Sequence, residues 1–228
     1  SSQSKAYTVQ IIETNMIHSY EIEIKSLLGS KENADALLEK MKTSDPALRK
    51  AASYKQINHY FAGGDVKKIP EKIVQYFSDA ENKKLKSIIS EGKDFSIRTR
   101  EMSGDAKLVL KASVDDTTSS NGISRREFEE SVKGVTIDDL DQVLIDCGFG
   151  YQAKWSRVRE DYSFKGLSVT LDKNSGYGYL AEFEKVIQDK DKAEKAREEI
   201  QKVMNELGAV ELPQDRLERM FKYYNENW

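Results

Sequence analysis

The chain has 228 residues, and its 36 Lys and Arg against 39 Asp and Glu leave a net charge of -3. That balance lacks the basic excess of a nucleic-acid binder, and the length is most simply one domain with helical additions. No apolar stretch approaches membrane-spanning length and the single Cys147 has no intrachain partner, so a soluble cytoplasmic protein is expected.

Residues 1–15 begin Ser-rich and carry a short apolar alternation, TVQII. They read as an N-terminal extension or an expression remnant ahead of a single domain over 16–228. Residues 20–25, YEIEIK, alternate with period two, so a strand there puts Glu21, Glu23 and Lys25 on one face and Tyr20, Ile22 and Ile24 on the other. Residues 31–50 carry Ala34, Leu37, Leu38 and Met41 at helical spacing, with a turn at Ser44-Asp45-Pro46 and a fresh helix start after it. Residues 54–61 read as a strand. From Pro70 onward, Ile73, Val74, Phe77, Leu85 and Ile88 predict one helix to about Ile89, ended by Gly92.

Strands follow at 95–100, at 108–113 with Lys111, and at 125–129, with 114–121 as the hairpin connection between the last two. Thr136 caps a helix over 137–147, whose closing segment LIDCGF makes Cys147 a packed thiol rather than a nucleophile. Strands are predicted at 151–159, 162–164, 167–172 and 179–186. A polar amphipathic helix spans 190–207 and ends at Gly208, and a last short helix covers 215–225.

On its own, YEIEIK is an edge strand with its charges in water. Repetition changes that reading. Arg98 and Arg100 share a face, as do Arg125, Glu127 and Glu129, Arg157 and Arg159, and Glu182 and Glu184. Wet faces mix Thr, Ser, Gln and Lys, whereas these strands repeat paired carboxylates or paired guanidinium groups. Such strands fit a closed barrel with a charged lumen, whose apolar outer faces are covered by helices or by a partner subunit, as in a homodimer. Acidic pairs there could hold a hard divalent cation and basic pairs a phosphate, so the combination points to a metal and a polyphosphate together.

The ordered series resembles the CYTH, or triphosphate tunnel metalloenzyme, superfamily, which includes thiamine and inorganic triphosphatases, class IV adenylyl cyclases and RNA triphosphatases. The resemblance starts at Glu21-x-Glu23-x-Lys25 and continues through Arg98-x-Arg100, Lys111, Arg125-x-Glu127-x-Glu129, Arg157-x-Arg159, Asp172 and Glu182-x-Glu184, across almost the whole chain. It implies an α+β fold, an eight-stranded antiparallel tunnel open at both ends and covered by flanking helices. It also implies that Glu21, Glu23, Glu184, Asp172 and Glu182 ligate Mg2+ or Mn2+. Glu127 and Glu129 would serve a second metal or orient basic residues, and Glu127 could polarise a water. Lys25, Arg98, Arg100, Lys111, Arg125, Arg157 and Arg159 would grip a triphosphate-containing small molecule.

Hydrolysis of that triphosphate is the primary expectation. Cyclisation of ATP and non-catalytic polyphosphate binding are the alternatives. Arg-x-Arg at 157–159 departs from the Lys-x-Arg of many members, and the helical insertion at about 65–93 departs from their short hairpin and could act as a lid. His18 and His59 read as structural histidines, Lys154 and Glu130 as surface groups, and Tyr223, Tyr224 and Trp228 as C-terminal packing.

Overall fold

The computed structural model describes residues 19–113 and 124–228. The extension at 1–15, His18 and the 114–121 hairpin therefore lie outside the described residues.

Eight antiparallel strands close into a ring. They are β1 (Tyr20–Gly29), β2 (Lys50–Ala62), β3 (Lys93–Met102), β4 (Asp105–Ser113), β5 (Ser124–Ser131), β6 (Gly150–Phe164), β7 (Leu167–Asn174) and β8 (Gly178–Ile187). Their order around the ring is β1-β5-β4-β3-β2-β6-β7-β8. Six helices are described outside it, α1 (Lys31–Ser44), α2 (Ile69–Ile73), α3 (Asp79–Glu91), α4 (Ile137–Asp146), α5 (Ala193–Leu207) and α6 (Gln214–Glu226).

The alternation is inverted relative to a half-wet sheet, because the apolar side chains face outward into two helix-covered cores. Ile22, Ile24, Val169, Leu171 and Phe183 pack under Leu37 and Met41 of α1 and Ile200 and Met204 of α5. Phe61, Ile97, Leu108, Leu110 and Phe128 pack under α2, α3 and α4 through Ile69, Ile73, Leu85, Ile88, Leu140 and Leu144. Each such buried side chain contributes about 1.5–3 kcal/mol relative to exposure, so the helices stabilise the ring from outside while its interior is free to be polar. Arg126, one position out of phase with Arg125, also faces outward. It is almost wholly buried and donates to Glu91 Oε2 (2.8 Å) and Ser87 Oγ (3.1 Å) of α3.

Three local expectations are corrected. No fresh helix follows Pro46; the chain turns and enters β2 at Lys50. The helix predicted from Pro70 to about Ile89 is broken at Phe77 and Ser78, because Ser78 and Glu81 form a capping box that starts α3 anew. The strands predicted at 151–159 and 162–164 are one strand, β6, since Glu160 leaves the ring to pair with Lys50 while Asp161 turns into it.

Helix α4 is pinned to the wall by buried Asp141. This carboxylate accepts from Thr99 Oγ1 (2.5 Å) and from the Tyr151 hydroxyl (2.7 Å), and it pairs with His59 Nδ1 (2.7 Å). His59 is thus the hydrogen-bonded structural histidine expected. Thr136 caps α4 in a second capping box with Asp139. Thr136→Ala is expected to cost about 1 kcal/mol and to lower the melting temperature by about 2–4 °C in a chain of this size, as read in a thermal melt.

Candidate active site

The lumenal positions of all eight strands converge on one cavity of about 770 Å3. Glu21, Glu23, Lys25, Arg98, Arg100, Lys111, Arg125, Glu127, Glu129, Arg157, Arg159, Glu182 and Glu184 line it. Asp172, the remaining residue singled out in the sequence, stands behind this lining with a relative exposure of 1%. Register explains the convergence. Glu23 lies opposite Glu184 and Lys25 opposite Glu182 across β1 and β8, while Lys111 lies opposite Glu127 across β4 and β5.

One sector is a crowd of carboxylates. Lys111 Nζ donates to Glu21 Oε2 (2.9 Å) and pairs with Glu127 Oε2 (3.1 Å), and Lys25 pairs with Glu23. Burial, opposed by Lys111 and reinforced by the hydrogen bond and repulsion from Glu127, pushes the Glu21 carboxyl up to about 9. Burial together with repulsion from Glu23, Glu182 and Glu127 pushes Glu184 up to about 7 against the pull of Lys111. Burial acts on Glu127 too, but Lys111 and then the hydrogen bond from Glu21 outweigh it and hold that carboxyl well below the usual range. For Glu23, burial is outweighed by Lys25 and Lys111. Glu21 thus keeps the proton of the Glu21–Glu127 pair.

The opposite sector is a braced basic wall. Arg159 donates through Nε to Asp172 Oδ1 (2.7 Å) and through Nη2 to Asp172 Oδ2 (2.6 Å) and Glu182 Oε2 (2.5 Å). Arg157 donates to Gln56 Oε1 (2.6 Å) and Asp172 Oδ2 (2.7 Å). Arg100 donates to Asn58 Oδ1 (2.9 Å) and Glu129 Oε2 (2.5 Å), with Lys107 also near Glu129 (3.3 Å). Arg98 donates to the Tyr60 hydroxyl (2.9 Å), while its buried Nε has no hydrogen-bond partner. The guanidinium groups are therefore fixed in direction before any ligand arrives, which favours a multiply charged anion with many acceptor oxygens.

The structure divides the acidic residues singled out in the sequence. Glu21, Glu23, Glu127 and Glu184 gather around Lys25 and Lys111, whereas Glu129, Asp172 and Glu182 brace arginines. Burial and mutual repulsion push the Glu21 and Glu184 carboxyls up, and a divalent cation among the four would favour their ionised forms. The donors are all oxygens, the chemistry of Mg2+ or Mn2+ rather than zinc. Among the described residues, no three acidic, His or Cys groups stand in ready coordination geometry, the lysines occupying part of their oxygens.

Polar groups without charge were missed from the sequence. Gln56 and Asn58, exposed by 1% and 2%, orient Arg157 and Arg100, and Tyr60 holds Arg98. Their signal was available as the period-two face Tyr54, Gln56, Asn58, Tyr60 of β2. Asp161, Thr170 and Tyr177 also line the cavity. Lys154 lies outside it, 3.9 Å from the centre of the Tyr151 ring, and Glu130 pairs with Lys84 (3.2 Å) on the outer wall.

One end of the cavity is covered rather than open. Leu217 and Phe221 of α6 line it beside Tyr177, and Leu217 is buried against Leu180 and Leu212. Tyr224 completes the cover, packing edge-on against Trp155 (5.3 Å between ring centres) and against Tyr177 (5.6 Å). The insertion at 65–93 plays no lid role in this state: none of its residues lines the cavity, and α2 and α3 buttress the outer wall.

A family model described as the CYTH domain matches residues 19–216. Solved structures share the fold at low identity. A conserved hypothetical protein from Pyrococcus furiosus is 19% identical, with 83% of this chain and 91% of that one covered at a TM-score of 0.60. A protein from Pyrococcus horikoshii is 21% identical, covering 88% and 99% at 0.59. A Vibrio parahaemolyticus protein, provisionally described as an adenylate cyclase, is 14% identical, covering 84% and 90% at 0.55. Among curated proteins no sequence matches this chain.

Proposed function

The chain belongs to the CYTH family, whose members include triphosphatases and adenylate cyclases, and from that membership we propose that it is a divalent-metal-dependent hydrolase of a triphosphate. The observation that carries this reading is the two-sided cavity, with a sector of crowded carboxyls facing a wall of pre-aimed guanidinium groups. A triphosphate lying along Arg157, Arg159, Arg100 and Arg98 would have its charge offset by donors already held by Asp172, Glu182, Glu129, Asn58 and Tyr60. Fixed donors of this kind stabilise the charge that develops as the terminal phosphoryl group transfers.

Glu21, Glu23 and Glu184 would hold the cation, and when bound it supplies charge neutralisation and lowers the pKa of a coordinated water. Glu127 stands beside that sector against Lys111 (3.1 Å), and it would serve as the proton acceptor for an attacking water once Lys111 turns to phosphate and the carboxylate regains basicity. Lys25 and Lys111 would move from their carboxylates to phosphate oxygens as the cation takes the carboxylates over. No described helix is long and apolar enough to cross a membrane.

The test is phosphate release from a panel of triphosphates with Mg2+ or Mn2+ against EDTA, with cyclic AMP and pyrophosphate followed in parallel. Metal-dependent phosphate release is expected. Cyclic AMP and pyrophosphate without phosphate would replace the hydrolase with a cyclase, and retained binding without turnover would leave a polyphosphate-binding module.

A further inference from the structure

Beyond the arginines the cavity carries a second group of polar side chains that the charge series does not include. On the lumenal face of β6, Arg157 and Arg159 are followed by Asp161 and Ser163, and on β7 Thr170 is the cross-strand partner of Asp161. The Tyr54 hydroxyl of β2 donates to Asp161 Oδ2 (2.7 Å). The other carboxylate oxygen, Oδ1, is buried with no hydrogen-bond partner, and so is the Thr170 hydroxyl. Two polar atoms on cross-strand partners, held out of water with no hydrogen bond, are unfavourable unless something else brings the complementary group.

Their position tells which part of a ligand that would be. Strand β6 runs from Trp155, which packs under Tyr224 of α6, to the β6–β7 turn, whose Gly166 and neighbouring Leu167 line the cavity. At about 3.3 Å per residue, Asp161 lies two residues past Arg159 on the side away from α6. A triphosphate gripped by Arg157 and Arg159 meets the apolar cover of Leu217 and Phe221 in one direction. In the other direction its substituent reaches Tyr54, Asp161 and Thr170.

We propose that Tyr54, Asp161 and Thr170 form a specificity subsite for the organic group of the substrate, selecting one that presents N–H donors or a positive charge. The proposal rests on the triphosphate reading above. Asp161 Oδ1 can only accept, so it matches an amino group or a cationic ring and opposes a further phosphate oxygen. Thr170 both donates and accepts beside it, and Tyr54 adds a flat ring. Inorganic triphosphate, whose ends are anionic acceptors, offers the subsite nothing and is disfavoured by it.

The experiment compares wild type, Asp161→Asn and Thr170→Val on inorganic triphosphate, ATP, purine riboside triphosphate and thiamine triphosphate, with a thermal melt for each variant. ATP and purine riboside triphosphate differ by one amino group, and thiamine triphosphate supplies the cationic ring. In wild type, kcat/KM for ATP should exceed that for the analogue lacking the amino group, or thiamine triphosphate should exceed both. Asp161→Asn should reduce the ratio of organic to inorganic kcat/KM by about tenfold, mostly through KM, with Thr170→Val shifting it the same way. A ratio unmoved in both folded variants overturns the subsite while leaving the hydrolase reading intact. Should wild type turn over no triphosphate, the hydrolase reading fails alone. The subsite is then read by displacement of bound ATP with purine riboside triphosphate and with thiamine triphosphate, where equal affinity of all three in wild type overturns it.

Discussion

Glu184→Gln is expected to lower metal-dependent turnover by about two to three orders of magnitude, the scale of removing one pre-aimed electrostatic group from an active site. It should also raise the Mn2+ concentration required for half-maximal rate. Glu184 faces Glu23 directly across β1 and β8 and, unlike Glu23, has no lysine against it. Burial and its acidic neighbours push its carboxyl up to about 7 against the pull of Lys111, and an entering cation would favour its ionised form. The substitution removes a carboxylate from a group of four that shares two ammonium groups, so the metal-free variant should melt at the wild-type temperature or slightly above it. Loss of cation binding with no loss of stability is the signature of a ligand rather than of a structural group. Free Mn2+ measured by electron paramagnetic resonance gives the binding change without recourse to turnover. If both Glu184→Gln and Glu21→Gln bind Mn2+ as wild type does, the acidic sector is not where the cation sits.

The charge code of the lumen was legible because period two is a strong constraint: Glu21, Glu23 and Lys25 must share a face if the segment is a strand, and Ile22 and Ile24 must share the other. The outward-facing core followed from the same alternation. What charge could not supply was partnership. Glu182 and Glu184 look alike in sequence, yet one braces Arg159 and the other crowds Glu23, a difference set by register, which puts Lys25 opposite Glu182 and Glu23 opposite Glu184. Asp161 falls between the strands that the sequence predicts at 151–159 and 162–164. Its neighbours in β2 and β7 hold it in the ladder with its side chain inward. Gln56, Asn58 and Tyr60 were silent because neutral polar residues on a period-two face are ordinary until burial makes their hydrogen bonds obligatory.

The same distinction governs Asp172, for which the sequence resemblance implied metal ligation. In the structure its carboxylate receives three hydrogen bonds from Arg157 and Arg159. Asp172→Ala leaves two largely buried guanidinium groups without their shared counterion, retaining only Gln56 and Glu182 as braces. A broken buried pair costs about 3–5 kcal/mol, a fall in melting temperature on the order of 10 °C for a chain of this length. Asp172→Asn keeps the shape and one acceptor oxygen, so it should fold with a smaller loss and isolate the functional effect. With Arg157 and Arg159 no longer held at fixed angles, KM for the triphosphate should rise about tenfold or more, while the Mn2+ concentration for half-maximal rate stays as in wild type. The reverse pattern, a shifted Mn2+ requirement with KM unchanged, would place Asp172 in the metal shell and require the arginines to be released from it on loading. The two variants together therefore decide whether this buried carboxylate serves the cation or the anion.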